Sequence, residues 1–225
     1  MSVKPIIFST PMVKALLEGN KNITRRVIKP QPKCKLYYAY AAGRTRDIGK
    51  WLYPSQYAIE RDGICPPPEG FTVADRNALW TPPCHGDDIL WVRESWAMYL
   101  DYKTGEPGRK YVYRADGGEG IRVINETDAN GRAFAIPVMS WRPSIHLPKE
   151  AARIFLRVTQ VSVERLRDMP RNDIIREGIA SGSVAEFRKL WDSLRKPDDL
   201  KKYGWKANPW VWVISFERCE KPEAW

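Results

Sequence analysis

The chain has 225 residues, a length that fits one large domain or a small domain carrying long insertions. Hydrophobic residues make up 43 %, with ten Trp, which excludes global disorder. No run approaches the roughly 18 apolar residues of a membrane helix, and the first ten residues hold too short an apolar stretch for a secretory signal, so the chain reads as cytoplasmic, without a membrane partner. The net charge of +10, from 37 Lys and Arg against 27 Asp and Glu, favours a polyanionic partner.

Pro5 to Ser9 reads as a short strand. Thr10 before Pro11 reads as a helix start, a hydroxyl N-cap followed by proline at the first helical position. Met12, Val13, Ala15 and Leu16 supply the apolar stripe, and Gly19 ends the helix by the left-handed route. Ile23 to Ile28 reads as a strand with Thr24 and Arg26 on one face and Ile23 and Arg25 on the other. From Pro11 to Lys35 seven basic residues stand against one acid, Glu18, a local asymmetry inside a folded region.

Residues 30 to 85 are rich in Pro, Gly and Tyr and predict a long insertion with only local structure, ending at the turn His85-Gly86-Asp87. Ile89 to Glu94 reads as a strand. Residues 101 to 135 predict a second insertion, with Tyr111 to Arg114 as a strand. Arg153 to Arg165 is a long strand and Pro170 to Glu177 a short helix ended by Gly178. Ser183-Val-Ala-Glu186 is a capping box opening a second helix, whose Phe187, Leu190, Trp191 and Leu194 recur at helical spacing until Pro197 closes it. Trp210 to Glu217 is a strand apolar on both faces, as for one buried inside a sheet or barrel. Helices do not alternate with strands, so the pattern predicts an α+β fold, a mixed and partly closed β-barrel with short helices at its rim, forming one domain over 1–225.

Several of these pieces resemble one family. Leu17-Glu-Gly-Asn-Lys21-Asn-Ile-Thr24-Arg-Arg resembles the signature of the ASCH domain, a branch of the PUA-like fold. Gly86 to Glu94, Ile175-Arg-Glu177-Gly and Pro209 to Glu217 follow in the family's order. Trp141-Arg-Pro-Ser-Ile-His146-Leu-Pro and Asn208-Pro-Trp-Val-Trp resemble the larger ASCH-type proteins of tailed phages and prophages. The resemblance implies a β-barrel with a cleft that binds RNA or modified nucleotides. In one branch of small ASCH proteins a lysine, a threonine and a glutamate hydrolyse acetylated cytidine; the matching positions are Lys21, Thr24 and Glu177. Asn22 departs from that branch, which usually has Thr or Ser there, and the insertions add surface around the cleft.

Two chemistries suit these residue types. Thr24 becomes a nucleophile only when a base takes its proton, and Lys21 serves as that base only if burial or Arg25 and Arg26 lower its pKa. Glu177 then holds the lysine or shuttles a proton, giving a metal-independent amidohydrolase of the N4-acetylcytidine kind. The same three side chains also serve binding: Lys21 to phosphate, Thr24 as a donor, Glu177 accepting from a cytosine amino group. Against both stands the structural alternative, in which Glu177 pairs with Arg176 or another base. Arg25, Arg26, Arg142, His146 and the stacking candidates Trp96 and Trp141 complete the expected nucleic-acid-binding set. Arg26, on the face of Thr24, is favoured over Arg25 for the cleft. Glu94 is expected to be buried against an arginine. Cys34, Cys65, Cys84 and His85 match no standard zinc spacing, so neither metal nor cofactor is expected. RNA or a nucleotide is the expected partner. A phage accessory module that binds another protein is the remaining alternative.

Overall fold

The structure, a computed structural model, describes residues 2–38, 50–52, 79–101, 108–117, 123–127, 130–137 and 140–223. Its strands in chain order are β1 (Val3–Ile7), β2 (Ile23–Val27), β3 (Tyr37–Tyr38), β4 (Trp51–Leu52), β5 (Leu79–Trp80), β6 (Ile89–Arg93), β7 (Trp96–Asp101), β8 (Gly108–Tyr113), β9 (Val123–Thr127), β10 (Ala133–Pro137), β11 (Phe155–Arg165) and β12 (Trp210–Cys219). Five of them form the main sheet in the order β1-β6-β11-β12-β2, with β1 parallel to β6 and every other pair antiparallel. The fold is therefore a mixed α+β arrangement with short helices. Among the described residues no ladder joins the two edge strands. They are linked instead by a side chain: Arg26 on β2 donates to the Ile7 carbonyl on β1 at 2.8 Å.

β12 explains its own composition. Trp210, Trp212, Ile214 and Phe216 belong to one core cluster, and Val211 and Val213 to another, so both faces of the strand are covered. The first cluster gathers Phe8, Val13, Leu90, Val92, Leu156 and Val158. The second packs Ile23, Leu166 and Ile174 against Phe187 and Trp191 of the Val184–Ser193 helix. β11 is irregular between Val158 and Gln160, where its pairing with β12 shifts register.

Local signals place most helix ends. The first helix spans Thr10–Leu17 with Ser9, not Thr10, at the N-cap, and Ser9 makes no side-chain cap bond because Pro11 already removes one orphan donor. Gly19, at φ 76°, ends it, and Asn20 N–H donates back to Ala15 O at 2.8 Å. Ser183 Oγ accepts from Glu186 N–H at 3.3 Å, while the Glu186 carboxylate takes the Ser181 hydroxyl at 2.7 Å, so only half of the capping box closes on itself. That helix ends at Ser193. Pro197 instead opens a 3₁₀ turn leading into a further short helix, Leu200–Tyr203, which the sequence pattern does not signal.

The insertions depart from expectation in two places. β3, β4 and β5 form a small antiparallel sheet, and Trp51 and Trp80 join the main core, with the Trp51 and Trp212 rings 5.6 Å apart. This part of the 30–85 segment therefore covers the core as well as having local structure. Arg114 begins a short helix, Arg114–Gly117, rather than ending a strand. Glu94 is buried and grips Arg153 with both oxygens, at 2.8 and 3.0 Å, as expected of that strand end. Arg153 also reaches Asp116 at 2.6 Å and lies 3.9 Å from the Tyr113 ring centroid, tying the inserted hairpin to the sheet. Of the cysteine and histidine set, Cys65 lies outside the described residues, and burial with nearby Asp88 pushes the Cys84 thiol up to about 11.

Asp88 fastens the N-terminal strand. Its buried carboxylate accepts from Ser2 N–H (2.8 Å), Ser2 Oγ (2.7 Å), Lys4 Nζ (3.0 Å) and His85 N–H (3.0 Å). Burial opposes ionisation, but these donors outweigh it and hold the carboxyl well below the usual carboxylate range. A depressed folded-state pKa contributes stability that is present above the unfolded value of about 3.9 and is lost as pH falls below it. Asp88→Asn is therefore expected to cost about 1–3 kcal/mol at neutral pH, measured by urea unfolding. The difference between the two proteins should shrink as pH drops from about 5 to below about 3; a pH-independent gap would refute this account.

Candidate functional site

The site is built where the first helix, β2 and the Arg171–Arg176 helix meet. After Gly19 the chain passes through Lys21, which forms an isolated antiparallel bridge with Glu177. Asn22 N–H donates to Arg176 O at 3.0 Å, Asn22 O accepts from Phe216 N–H at 3.0 Å, and Arg176 Nε donates to Asn22 Oδ1 at 2.9 Å. Asn22, the departure from the family pattern, thus locks the Lys21 turn to the end of that helix. Gly178, at φ 95°, lets the two segments approach: a Cβ there would lie 2.9 Å from the Ala15 Cβ.

Six charged side chains form a continuous network. Lys21 Nζ, only 1 % exposed, donates to Glu177 Oε2 (2.8 Å), Glu177 O (2.7 Å) and Ile23 O (2.8 Å). All three ammonium N–H groups are thereby taken. Glu177 Oε1 accepts from Arg25 at 3.2 Å, and Arg25 also donates to Asp173 (2.6 Å) and to Glu164 on β11 (2.7 Å). Arg176 completes the set through Asp173 at 3.1 Å. Three cations meet three carboxylates, so the network is formally neutral. Burial pushes Lys21 below its ordinary pKa; Glu177 resists this, and Arg26 and Arg25 add to it. Burial also weighs against charge on Arg25, but Glu177, Glu164 and Asp173 outweigh it and keep the guanidinium charged.

The network forms the floor of a cleft of about 1250 Å³. Lys21, Thr24, Arg25, Arg26 and Glu177 all line it. The Phe8 ring lies beneath two of the cations, 5.4 Å from Lys21 Nζ and 5.5 Å from the Arg26 guanidinium carbon. Eight basic side chains and two acidic ones line the cleft. Lys21 and Arg25 are neutralised within the network, and Glu177 with them. That leaves Lys14, Arg26, Lys29, Arg114, Arg195 and Lys196 facing one carboxylate, Asp199.

The structure thus brings together the five signature-region residues, including the pair Lys21 and Glu177, which lie 156 positions apart. Glu177 pairs with Lys21 and Arg25, while Arg176 pairs with Asp173. Arg25 turns to the network and is fully buried, whereas Arg26 is half-buried beside Thr24's face of the strand. The aromatic set lies elsewhere. Trp96 is 4 % exposed within a third core cluster, with the exposed Arg142 guanidinium 5.1 Å from its ring centroid. Trp141 is half-buried and His146 exposed; neither lines the cleft, though the neighbouring Pro143 and Ser144 do.

Sequence reasoning misses the opposite wall. Phe187, Leu190, Trp191 and Leu194 recur at helical spacing, which predicts a buried stripe. Phe187 and Trp191 are indeed buried, but the stripe also borders the cleft, and Leu194 is 63 % exposed there. Arg195 and Tyr203 extend this wall. Nothing in their spacing separates a core face from a cleft face; the late position of a basic residue after an apolar stripe is the one available hint.

No protein-family model matches the chain, and no curated protein sequence matches it. Among solved structures, the chain is similar to the ASCH domain from Lactobacillus crispatus JV V101, with 9 % identity and a TM-score of 0.39, over 96 % of this chain and 79 % of the other. At that distance residue roles do not pass from one chain to the other, and the functional reading rests on the geometry of the cleft.

Proposed function

We propose that this is an ASCH-type, PUA-like protein of the larger kind found in phages and prophages, and that it binds RNA or a nucleotide in the basic cleft. The observation that carries the reading is the charge of the lining. Once the buried network is set aside, six cations face a single carboxylate in a concave site. The apolar wall of Phe187, Leu190, Trp191 and Leu194 stands beside them, as binding of a planar base with a charged backbone requires. Single-stranded RNA is expected to bind with an affinity that falls linearly on a log–log plot against salt between about 50 and 200 mM. Fluorescence anisotropy of labelled oligoribonucleotides checks this. Binding indifferent to salt would overturn the electrostatic reading, and complete absence of nucleotide and RNA binding would favour a protein-interaction role.

A second reading, hydrolysis of an acylated nucleoside such as N4-acetylcytidine, is favoured by the contact between Lys21 and Glu177 at 2.8 Å in the cleft that Thr24 also lines. In such a reaction neutral Lys21 takes the Thr24 hydroxyl proton as Oγ attacks the acyl carbon. The C–N bond breaks, the proton passes from Lys21 to the leaving amine, and water releases the acyl group from Thr24. Glu177, hydrogen-bonded to the lysine, holds the amine in place and favours its charged form. The lysine must lose a proton first, so the sign of the pH dependence is set: turnover rises with pH through a Lys21 pKa lowered from about 10.4. Deacetylation is expected to be faster at pH 9 than at pH 6.5 and to vanish in Lys21→Ala and Thr24→Val. Turnover no greater than that of Lys21→Ala would eliminate the hydrolase reading.

A further inference from the structure

The cleft has a second charged pole outside the buried network, made of Arg26 from the signature region and Arg195, which lies outside that region. Arg26 rests near the Phe8 ring and spends one N–H on the Ile7 carbonyl. Arg195, just beyond the Val184–Ser193 helix, lies flat against Trp191, 3.5 Å from its ring centroid, and spends one N–H on the Trp191 carbonyl. Both line the cleft, and neither forms an ion pair with a carboxylate among the described residues. Asp192, the nearest acid in sequence to Arg195, has Oδ1 committed to Trp205 N–H at 2.8 Å. The rest of each guanidinium fork is left for something else.

Burial pushes Arg195 down to about 10; Asp192 and Asp199 resist, and Arg26 lowers it further. Both guanidiniums line the same cleft. A phosphate oxyanion offsets such charge and offers oxygens to a guanidinium fork, the pairing at which arginine exceeds lysine. Lys21 and Arg25 do not suit that role: all three Lys21 donors are taken, and buried Arg25 is already matched by Glu177, Asp173 and Glu164.

We propose that Arg26 and Arg195 form a phosphate seat, so that the cleft takes a phosphorylated ligand, a nucleotide or a nucleic-acid phosphate, in preference to a free nucleoside. The proposal rests on the cleft being the ligand site. It assigns the anionic part of the ligand to the Arg26–Arg195 pole and leaves the Lys21, Thr24 and Glu177 floor for the base.

Calorimetric titration of the full chain with cytidine, cytidine monophosphate and pyrophosphate tests the seat. The monophosphate is expected to bind at least tenfold more tightly than cytidine, and pyrophosphate to compete with it. Arg195→Met keeps an apolar cover on Trp191 and is expected to bring the ratio close to one by weakening the monophosphate far more than cytidine. Arg26→Gln is expected to act in the same direction. Competition with pyrophosphate by the monophosphate but not by a 5′-hydroxyl oligoribonucleotide assigns a terminal phosphate, and competition by both extends the seat to a backbone diester. Equal affinity for cytidine and its monophosphate, or a preference that survives Arg195→Met, overturns the seat while leaving the cleft as a nucleoside site. Arg195-dependent pyrophosphate binding without any nucleoside, nucleotide or RNA binding keeps the seat and overturns the nucleotide reading.

Discussion

The site depends on one contact, the ion pair between Lys21 and Glu177 inside the protein. An ammonium and a carboxylate removed from water each lose several kcal/mol of hydration, and their attraction offsets this only when the remaining donors and acceptors are also satisfied. Here they are: two main-chain carbonyls complete the ammonium, and Arg25 completes the carboxylate. Arg25 would itself be a buried cation without Asp173 and Glu164. Removing Lys21, Arg25 or Glu177, the three most buried members, leaves an uncompensated buried charge, which typically costs about 3–5 kcal/mol. The pair therefore demands the network, and the network demands that β2, β11 and the Arg171–Arg176 helix converge.

That convergence explains features that otherwise look independent. Gly178 has a positive φ and nearly touches Ala15, because any side chain there would push the helix end away from Lys21. Asn22 bonds Arg176 and takes a β12 N–H through its own carbonyl, setting the register of the turn that presents the lysine. Phe8 supplies an apolar floor on which both Lys21 and Arg26 rest. Arg26 then reaches Ile7, linking the two edges of the sheet with a polar side chain where a strand ladder would have filled the cleft. An opening between edge strands is thus kept by the same residues that charge it.

How much of this was legible in the sequence follows from the range of each interaction. Gly19, the Ser183–Glu186 spacing and the continuous apolar run Trp210–Phe216 act within a few residues, and the elements they predict are present, although the second helix ends at Ser193, short of Pro197. Lys21, Thr24 and Glu177 were reachable only through the family signature, since no local rule joins positions 156 apart. Arg25 shows the limit most plainly. Strand alternation places it opposite Thr24, but its acceptors come from β11 and a later helix, and no period in the sequence points to them. Trp191 and Trp96 mark the converse difficulty: an aromatic ring at an element's end reads alike whether it borders a cleft or fills a core, and only the packing of distant segments decides.

The neutral floor and the cationic rim divide the work of the cleft. A lysine whose three N–H groups are already accepted gains little from a ligand phosphate, because a new bond only replaces an existing one. Its chemistry lies in losing a proton, and the burial that lowers its pKa is what permits this. Arg26 and Arg195 differ: each spends one N–H on a main-chain carbonyl and keeps the rest of its fork open. On the proposed reading, affinity originates at the rim and orientation at the floor. A substitution at Arg195 should weaken capture with little effect on the fold, whereas one at Arg26 also loosens the link between the edge strands and one in the floor disturbs both. That asymmetry makes Arg195, rather than Lys21, the residue at which binding can be separated from stability.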